Sequence, residues 1–408
     1  MPFHGGKAFQ SPFSEVLPVP IPSHCPNPAC SNHLAPARRW YVRFGSYPTA
    51  AHGPVQRYRC RRCGSTASEQ TESLHYFAKR RVPLRALWDS LLAGASLREA
   101  AGRYGVSPMA VQGALLRLGR QAMAAQLVVL RELSPRSGVV FDGLRSCVTS
   151  ADYPCELTTV VEPEGETVLT ITHSITRRGG RQTARQKRRT ARKYARWRPE
   201  AGAVQRDISC VVRELFDYLR PPAGGGEATI DTDEHRLYRS TIERYPPARH
   251  LRAAGRLSHL RTSSRLPRTA ANRLFAVNYL DRLLRHRLKE HTRESIAIGR
   301  HAVMQMHRAW MFAWDHNARR PWRERRPEAG RHAEQGACSA GVVASLRSSF
   351  FTRRIRLRAT PVPESIRRVW VGELATPPLR WRVGQVGTSV TVPAYARRDL
   401  AEAYQQTI

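Results

Sequence analysis

Apolar and polar positions change their period several times along this chain. Leu84, Leu87, Trp88, Leu91 and Leu92 recur at helical steps and predict an amphipathic helix that Gly94 ends. Ser96, with Glu99 three residues on, predicts a capping box opening a short second helix, LREAAGRYG, that stops at Gly105. Ser107 caps and Pro108 opens a third helix, running to about Arg120. From residue 138 the pattern becomes that of strands. GVVFDGLRSCV is one, and ELTTVVEPEGETVLTITHSI reads as two, joined by a turn at 163–165. Val211, Val212, Leu215, Phe216 and Leu219 predict a helix over 204–220, and EATIDTD a strand after the breaker PPAGGG. A long helical region is expected over roughly 270–318, with MQMHRAWMFAW (304–314) as its buried face. Residues 323–340 read as loop. RRIRLRAT, RRVWVGEL and TSVTVPA alternate and predict a small β-rich C-terminal domain.

These elements group into a multidomain α/β protein. A flexible N-terminus is expected at 1–24, a cysteine module at 25–70 and a three-helix domain at 80–125. An α/β domain follows at 138–320 with a basic insertion at 177–198, and the β-rich domain takes 345–408. At 408 residues the chain is long enough for several cores. No apolar run approaches the length of about 18 residues that a membrane span needs, and no signal peptide is visible. The expected setting is the cytoplasm.

Charge changes the picture most. Lys and Arg number 67 against 32 Asp and Glu, a formal +35. Such a surface favours polyanions, and the excess is mostly Arg, which forks two hydrogen bonds onto phosphate or guanine. Codon bias explains Arg over Lys but not the twofold excess of base over acid.

Cysteines give the first site. Cys25 and Cys30 are four residues apart and Cys60 and Cys63 two, with twenty-nine between the pairs. Two knuckles at the ends of a β-ribbon can close a tetrahedral, structural zinc site. His24, His33 and His52 are near enough to replace one thiol. The other four cysteines are scattered, which argues against a disulfide framework. The three helices at 84–120 follow helix-turn-helix grammar, with the third as recognition helix. Ser107, Met109 and Gln112 are candidates for base contact, and Arg117 and Arg120 for phosphates. A plain three-helix bundle is the competing reading.

The order of zinc ribbon, helix-turn-helix and Asp-bearing strand, with the string QRYRCRRCGSTAS (56–68), resembles transposases of the smallest bacterial insertion sequences. The resemblance covers roughly residues 25–318. It implies a ribonuclease-H-like catalytic domain with an acidic triad of the DDE type, binding Mg²⁺. Asp142 in GVVFDGLRS matches the first acid. Asp233 in TDEHRLY, with Tyr238 five residues on, matches the second, with Asp231 its competitor. Asp281, after Asn278 and among Arg282, Arg285 and Arg293, takes the place the family gives to Glu, with Glu290 and Glu294 as fallbacks. Two Mg²⁺ about 3.5–4 Å apart would activate a nucleophile and stabilise a leaving oxygen, with Asp142 bridging both. Arg282, Arg285 and Arg293 would hold the scissile strand. The expected partners are double-stranded DNA, as terminal inverted repeats and target, and a second copy of the chain. A catalytically inactive DNA-binding regulator is the alternative, and a binder of structured RNA a further rival. The run 181–198, with Tyr194 and Trp197, reads equally as a phosphate-tracking segment or a solvated insertion. His301, His307 and His316 read as core or surface residues rather than ligands.

Overall fold

The computed structural model describes residues 21–133, 136–292, 297–336, 338–357, 361–378, 390 and 392–404. The described residues form two compact units, one drawn from those within 21–91, 95–117 and 349–355, the other from those within 92–94, 118–348 and 356–404.

In the first unit a short helix, α1 (Ser31–Leu34), precedes β1 (Tyr41–Thr49), β2 (Gly53–Cys60) and β3 (Thr66–Ser68), an antiparallel sheet in that order. The helices α2 (Leu84–Leu92) and α3 (Leu97–Tyr104) follow as the periodicity predicts. Leu87, Trp88 and Leu91 are fully buried, with Trp88 edge-on to Phe350 and Phe351. The capping box is formed: Ser96 accepts from the Glu99 amide and Glu99 from the Ser96 amide. Gly105 ends α3 in the left-handed region at φ 61°, where a side chain would be strained. The third helix, α4 (Pro108–Glu132), runs well past the expected end. Its second half, QAMAAQLVVLRE, has neither Gly nor Pro and holds good helix formers. It begins in the first unit and finishes in the second.

The second unit is built on a mixed sheet. Its strands are β4 (Gly138–Val148), β5 (Ser150–Glu162), β6 (Thr167–Ile171), β7 (Ser174–Ile175), β8 (Ala228–Asp233) and β9 (Leu257–Thr262). The order is β6-β5-β4-β8-β9, with β7 also paired to β5. β4 runs antiparallel to β5 and parallel to β8, and β8 runs parallel to β9. The connection from β7 to β8 holds α5 (Ala184–Arg196) and α6 (Ala203–Leu215), and that from β8 to β9 holds α7 (Arg236–Arg244) and α8 (Pro246–Ala253). Ile208, Val211, Tyr238 and Ile242 from these helices share a core with Val139, Phe141, Val160 and Ile230 of the sheet.

The long helical region expected over 270–318 is two helices, α9 (Phe275–Arg287) and α10 (Ala302–Trp314). α9 packs on β4 and β5. α10 is buried almost all round, which is why MQMHRAWMFAW carries so many large apolar residues. The segment read as loop contains α11 (His332–Gln335).

The expected β-rich C-terminus is corrected. Its described residues form α12 (Ala340–Ser349), α13 (Glu364–Trp370) and α14 (Ala394–Tyr404), with no strand among them. RRVWVGEL alternates locally, but Ile366, Val369 and Trp370 recur at helical spacing and are the residues buried. Most of TSVTVPA lies outside the described residues. No helix among the described residues is long and apolar enough to cross a membrane.

Candidate metal centres and nucleic-acid interface

The two knuckles bring four thiols together, all within 4.8 Å of one another. Cys25 Sγ and Cys63 Sγ are 3.4 Å apart, and Cys30 Sγ and Cys60 Sγ 3.9 Å. Zinc–sulfur bonds of about 2.3 Å at tetrahedral angles require sulfurs about 3.8 Å apart. The cluster therefore fits a zinc ion without rearrangement. Gly64, at φ 74°, lets the chain fold back so that its amide donates to the Cys60 carbonyl. Trp40 packs on Cys25, Cys30 and Cys60 and dries one side. Hydrogen bonds from Ser65 draw the Cys63 thiol down to about 6, towards thiolate, while burial pushes Cys25 up. The histidines have other work. His33 Nδ1 lies 2.8 Å from the Cys25 carbonyl, His24 pairs with Glu72 at 3.2 Å, and His52 lies beside His75.

At the start of α4, Ser107 and Met109 are exposed, Met109 to 71%. Gln112 is half-buried. Ser107 Oγ accepts from the Ala110 amide, so it caps α4 as expected. The two arginines farther along are not free phosphate contacts. Arg117 donates to the carbonyls of Leu74 and Tyr76. Arg120 is buried and donates to the Trp370 carbonyl at 3.1 and 3.0 Å. Their helical spacing puts them on the buried side of a helix longer than expected. The sheet offers a basic surface that the cysteine spacing did not reveal: Arg57 and Arg59 sit over the exposed ring of Phe44, at 5.2 and 4.6 Å.

The three aspartates come from three elements. Strand register explains the first pair. Val140 lies beside Asp231 across the parallel β4–β8 pair, so two residues on brings Asp142 towards Asp233. α9, packed on β4 and β5, supplies Asp281. Burial and then the charge of Asp233 push Asp142 up to about 6, against a 2.7 Å hydrogen bond from the Gly143 amide. Burial and then the charge of Asp142 push Asp281 well above the carboxylate range, opposed by Arg285 and Arg268. Asp281 Oδ1 is buried with no hydrogen-bond partner. Asp233 Oδ1 accepts from the His235 amide at 2.7 Å.

The competitors sit elsewhere. Asp231 faces Arg273 at 3.6 Å, and Glu290 pairs with Arg308 at 3.3 Å. Glu294 and Arg293 lie outside the described residues. Arg285 donates to the carbonyls of His291 and Arg145, which secures the end of α9. Arg282 is exposed and lies 5.3 Å from the centre of the Tyr279 ring.

A fourth acid joins the cluster. Glu156, half-way along β5, lies over Gly143, where a Cβ would come within 2.7 Å of its carboxyl carbon. Burial raises Glu156, with Asp233 adding to the rise and Arg145, 3.2 Å away, opposing it. Buried Tyr238 stands near all four acids, and burial first and their charges next push its phenol up. No short motif marks Glu156. Its place in the cluster follows from the strand register, which sets it opposite Arg145 and diagonally over Gly143. Of the histidines, His307 and His316 are buried core residues, and His301 Nδ1 accepts the Val303 amide to cap α10.

The basic run at 181–198 holds a helix rather than a loose insertion, and Arg185, Arg188, Arg192 and Arg196 on it are exposed. Thr183 caps α5, and buried Asp152 takes Arg178, Arg189 and Lys193 at 2.6, 2.9 and 2.7 Å.

No protein-family model matches the chain, and no curated protein matches its sequence.

Proposed function

We propose that this protein is a DNA transposase. The first unit would bind transposon-end DNA, and the second would cut and join strands at a divalent-metal site. The observation that carries the reading is the electrostatic meeting of Asp142, Asp233 and Asp281, which the sequence separates widely. The sheet, antiparallel on one side of β4 and parallel on the other, supports the ribonuclease-H-like fold that the resemblance implies.

The residue types would suit Mg²⁺. Hard oxygen ligands suit it, the acids repel one another without a cation, and Asp281 Oδ1 has no partner of its own. The thiols are packed more tightly than these acids: among the described residues they are the one set with all ligand atoms within 4.8 Å. Asp142, Asp233 and Asp281 would hold the ion, with Glu156 at its edge. Bound there, it would supply Lewis-acid stabilisation of phosphoryl oxygens. Arg268 and Arg285 partly offset the charge of the acids. The positive charge of the chain, with Met109 and Ser107 on α4 and Arg57 and Arg59 on the ribbon, supports DNA as the substrate.

The test is strand cleavage and joining on DNA carrying the flanking inverted repeats, with Mg²⁺ or Mn²⁺. Wild type should cut and join, and Asp142→Ala, Asp233→Ala and Asp281→Ala should bind the ends without cutting. Tight, sequence-specific binding by wild type with no cleavage would establish the regulator instead.

A further inference from the structure

The acidic cluster is not the only place in the second unit where unsatisfied chemistry is gathered. A cavity of about 840 Å³ opens between the end of the β6–β7 segment, the link from α5 to α6, the first turns of α6, and α13. Its floor is neutral, polar and buried. His173, Ser174 and Asp207 are 5, 5 and 2% exposed. Ser174 Oγ has no hydrogen-bond partner, His173 interacts with the Gln305 side chain, and Thr172 Oγ1 donates to Asp207 Oδ2. Burial holds His173 down at about 4, so its imidazole is neutral, and pushes Asp207 up to about 7. A buried polar atom left unpaired is costly, so Ser174 Oγ in this cavity wall points to a ligand that pairs with it.

The mouth has the opposite character. Arg198, Arg213 and Arg368 line it. Its two glutamates are already engaged, Glu200 by Arg206 at 2.5 Å and Glu364 by Arg367 at 2.6 Å. The arginines therefore leave surplus positive charge. Gly202 begins α6 in the left-handed region with no side-chain cap, and the flank of that helix from Ala203 to Arg213 lines the cavity. Half-buried Trp197 lines the same wall.

We propose that this cavity binds a nucleotide, its phosphate held at the mouth by Arg198 and Arg368, and its base on the floor against His173 and Ser174. A phosphate alone would satisfy the mouth and leave the floor unpaired, and a neutral base alone would do the reverse. Trp197 offers a face on which the base can stack. The nucleotide is either free or one unit of a nucleic-acid strand. The cavity is formed by residues other than the clustered acids, so the proposal stands or falls apart from the transposase reading.

Calorimetric titration of the full, zinc-loaded chain tests it. The probes are the four deoxynucleoside monophosphates, deoxyadenosine, inorganic phosphate and a 5′-phosphorylated hexanucleotide. At least one monophosphate should bind about tenfold or more tighter than phosphate or deoxyadenosine. Arg198→Gln, at an exposed position, should weaken it about tenfold through the lost charge-assisted contact. Ser174→Ala should reduce its affinity while leaving phosphate binding unchanged. Hexanucleotide binding that is tighter still and falls in the same variants assigns the cavity to a strand, and hexanucleotide binding indifferent to them assigns it to free nucleotide. Monophosphates that bind no tighter than phosphate, or binding untouched by both substitutions, would overturn the proposal.

Discussion

Two acids on neighbouring strands of one sheet meet opposite fates. Asp152 on β5 is buried beside Arg178, Arg189 and Lys193. Burial alone would raise it, but the hydrogen bonds from these three cations hold it far below the carboxylate range. Asp142 on β4 is half-buried among other acids and is pushed up to about 6. A carboxylate whose charge the fold answers serves the fold, as Asp152 does by fastening α5. A carboxylate whose charge the fold leaves unanswered calls for a cation from outside. The four thiols are a third case, acids gathered so closely that zinc is the natural answer.

The largest expected effect concerns those thiols. Structural zinc contributes about 10–16 kcal/mol in small zinc modules, so a strong chelator should unfold the ribbon. Amide exchange over 25–68 that stays slow in chelator would break the analogy. Next comes catalysis: Asp142→Asn or Asp281→Asn should cost strand cleavage more than about a hundredfold, since even outer-shell partners of a metal are worth 10–100-fold. The matching change at the other acid should act on stability. Asp152→Asn leaves three cations around a neutral side chain, and breaking a buried ion pair costs about 3–5 kcal/mol. Urea denaturation should show that loss at pH 7. Wild type should approach the variant as pH falls below the ordinary aspartate range, because a lowered acid stabilises only while ionised.

Asp142→Asn should move stability the other way. Its folded carboxyl holds a proton up to about 6, above its ordinary value near 4. The unfolded chain therefore releases that proton first as pH rises, and wild type loses stability between about pH 4 and 6. In Mg²⁺-free buffer the variant should be more stable at pH 7.5 by on the order of 2 kcal/mol, with no gain at pH 4. A variant less stable than wild type at pH 7.5 would mean that Asp142 is answered after all. The smallest effect belongs to a residue outside either cluster: Ser96→Ala should cost about 1 kcal/mol through the lost cap, with the same pH dependence as wild type.

Much of this was legible in the sequence where local chemistry decides structure. The Cys25–Cys30 and Cys60–Cys63 spacings, the Ser96–Glu99 box and Gly105 each act within a few residues, and each is formed as read. Asp142, Asp233 and Asp281 could be named through the family resemblance; Asp142 lies in the middle of β4, Asp233 at the end of β8 and Asp281 on α9. Glu156 could not, because its membership depends on the β4–β5 register that sets it over Gly143. Arg120 misled for a related reason: on a helix ending near 120 it would be solvent-facing, but α4 continues to Glu132 and carries it under Trp370. The C-terminal strands failed because alternation over a few residues also fits a short helix when Ile366, Val369 and Trp370 share one side.

The most direct test of the claim that the unanswered acids form a cation site is Mn²⁺ binding to the zinc-loaded chain, followed by electron paramagnetic resonance. Wild type should bind Mn²⁺ with Mg²⁺ in competition, Asp152→Asn should bind it equally where it remains folded, and Asp142→Asn and Asp281→Asn should lose it. Mn²⁺ binding that survives both of those substitutions would contradict the account.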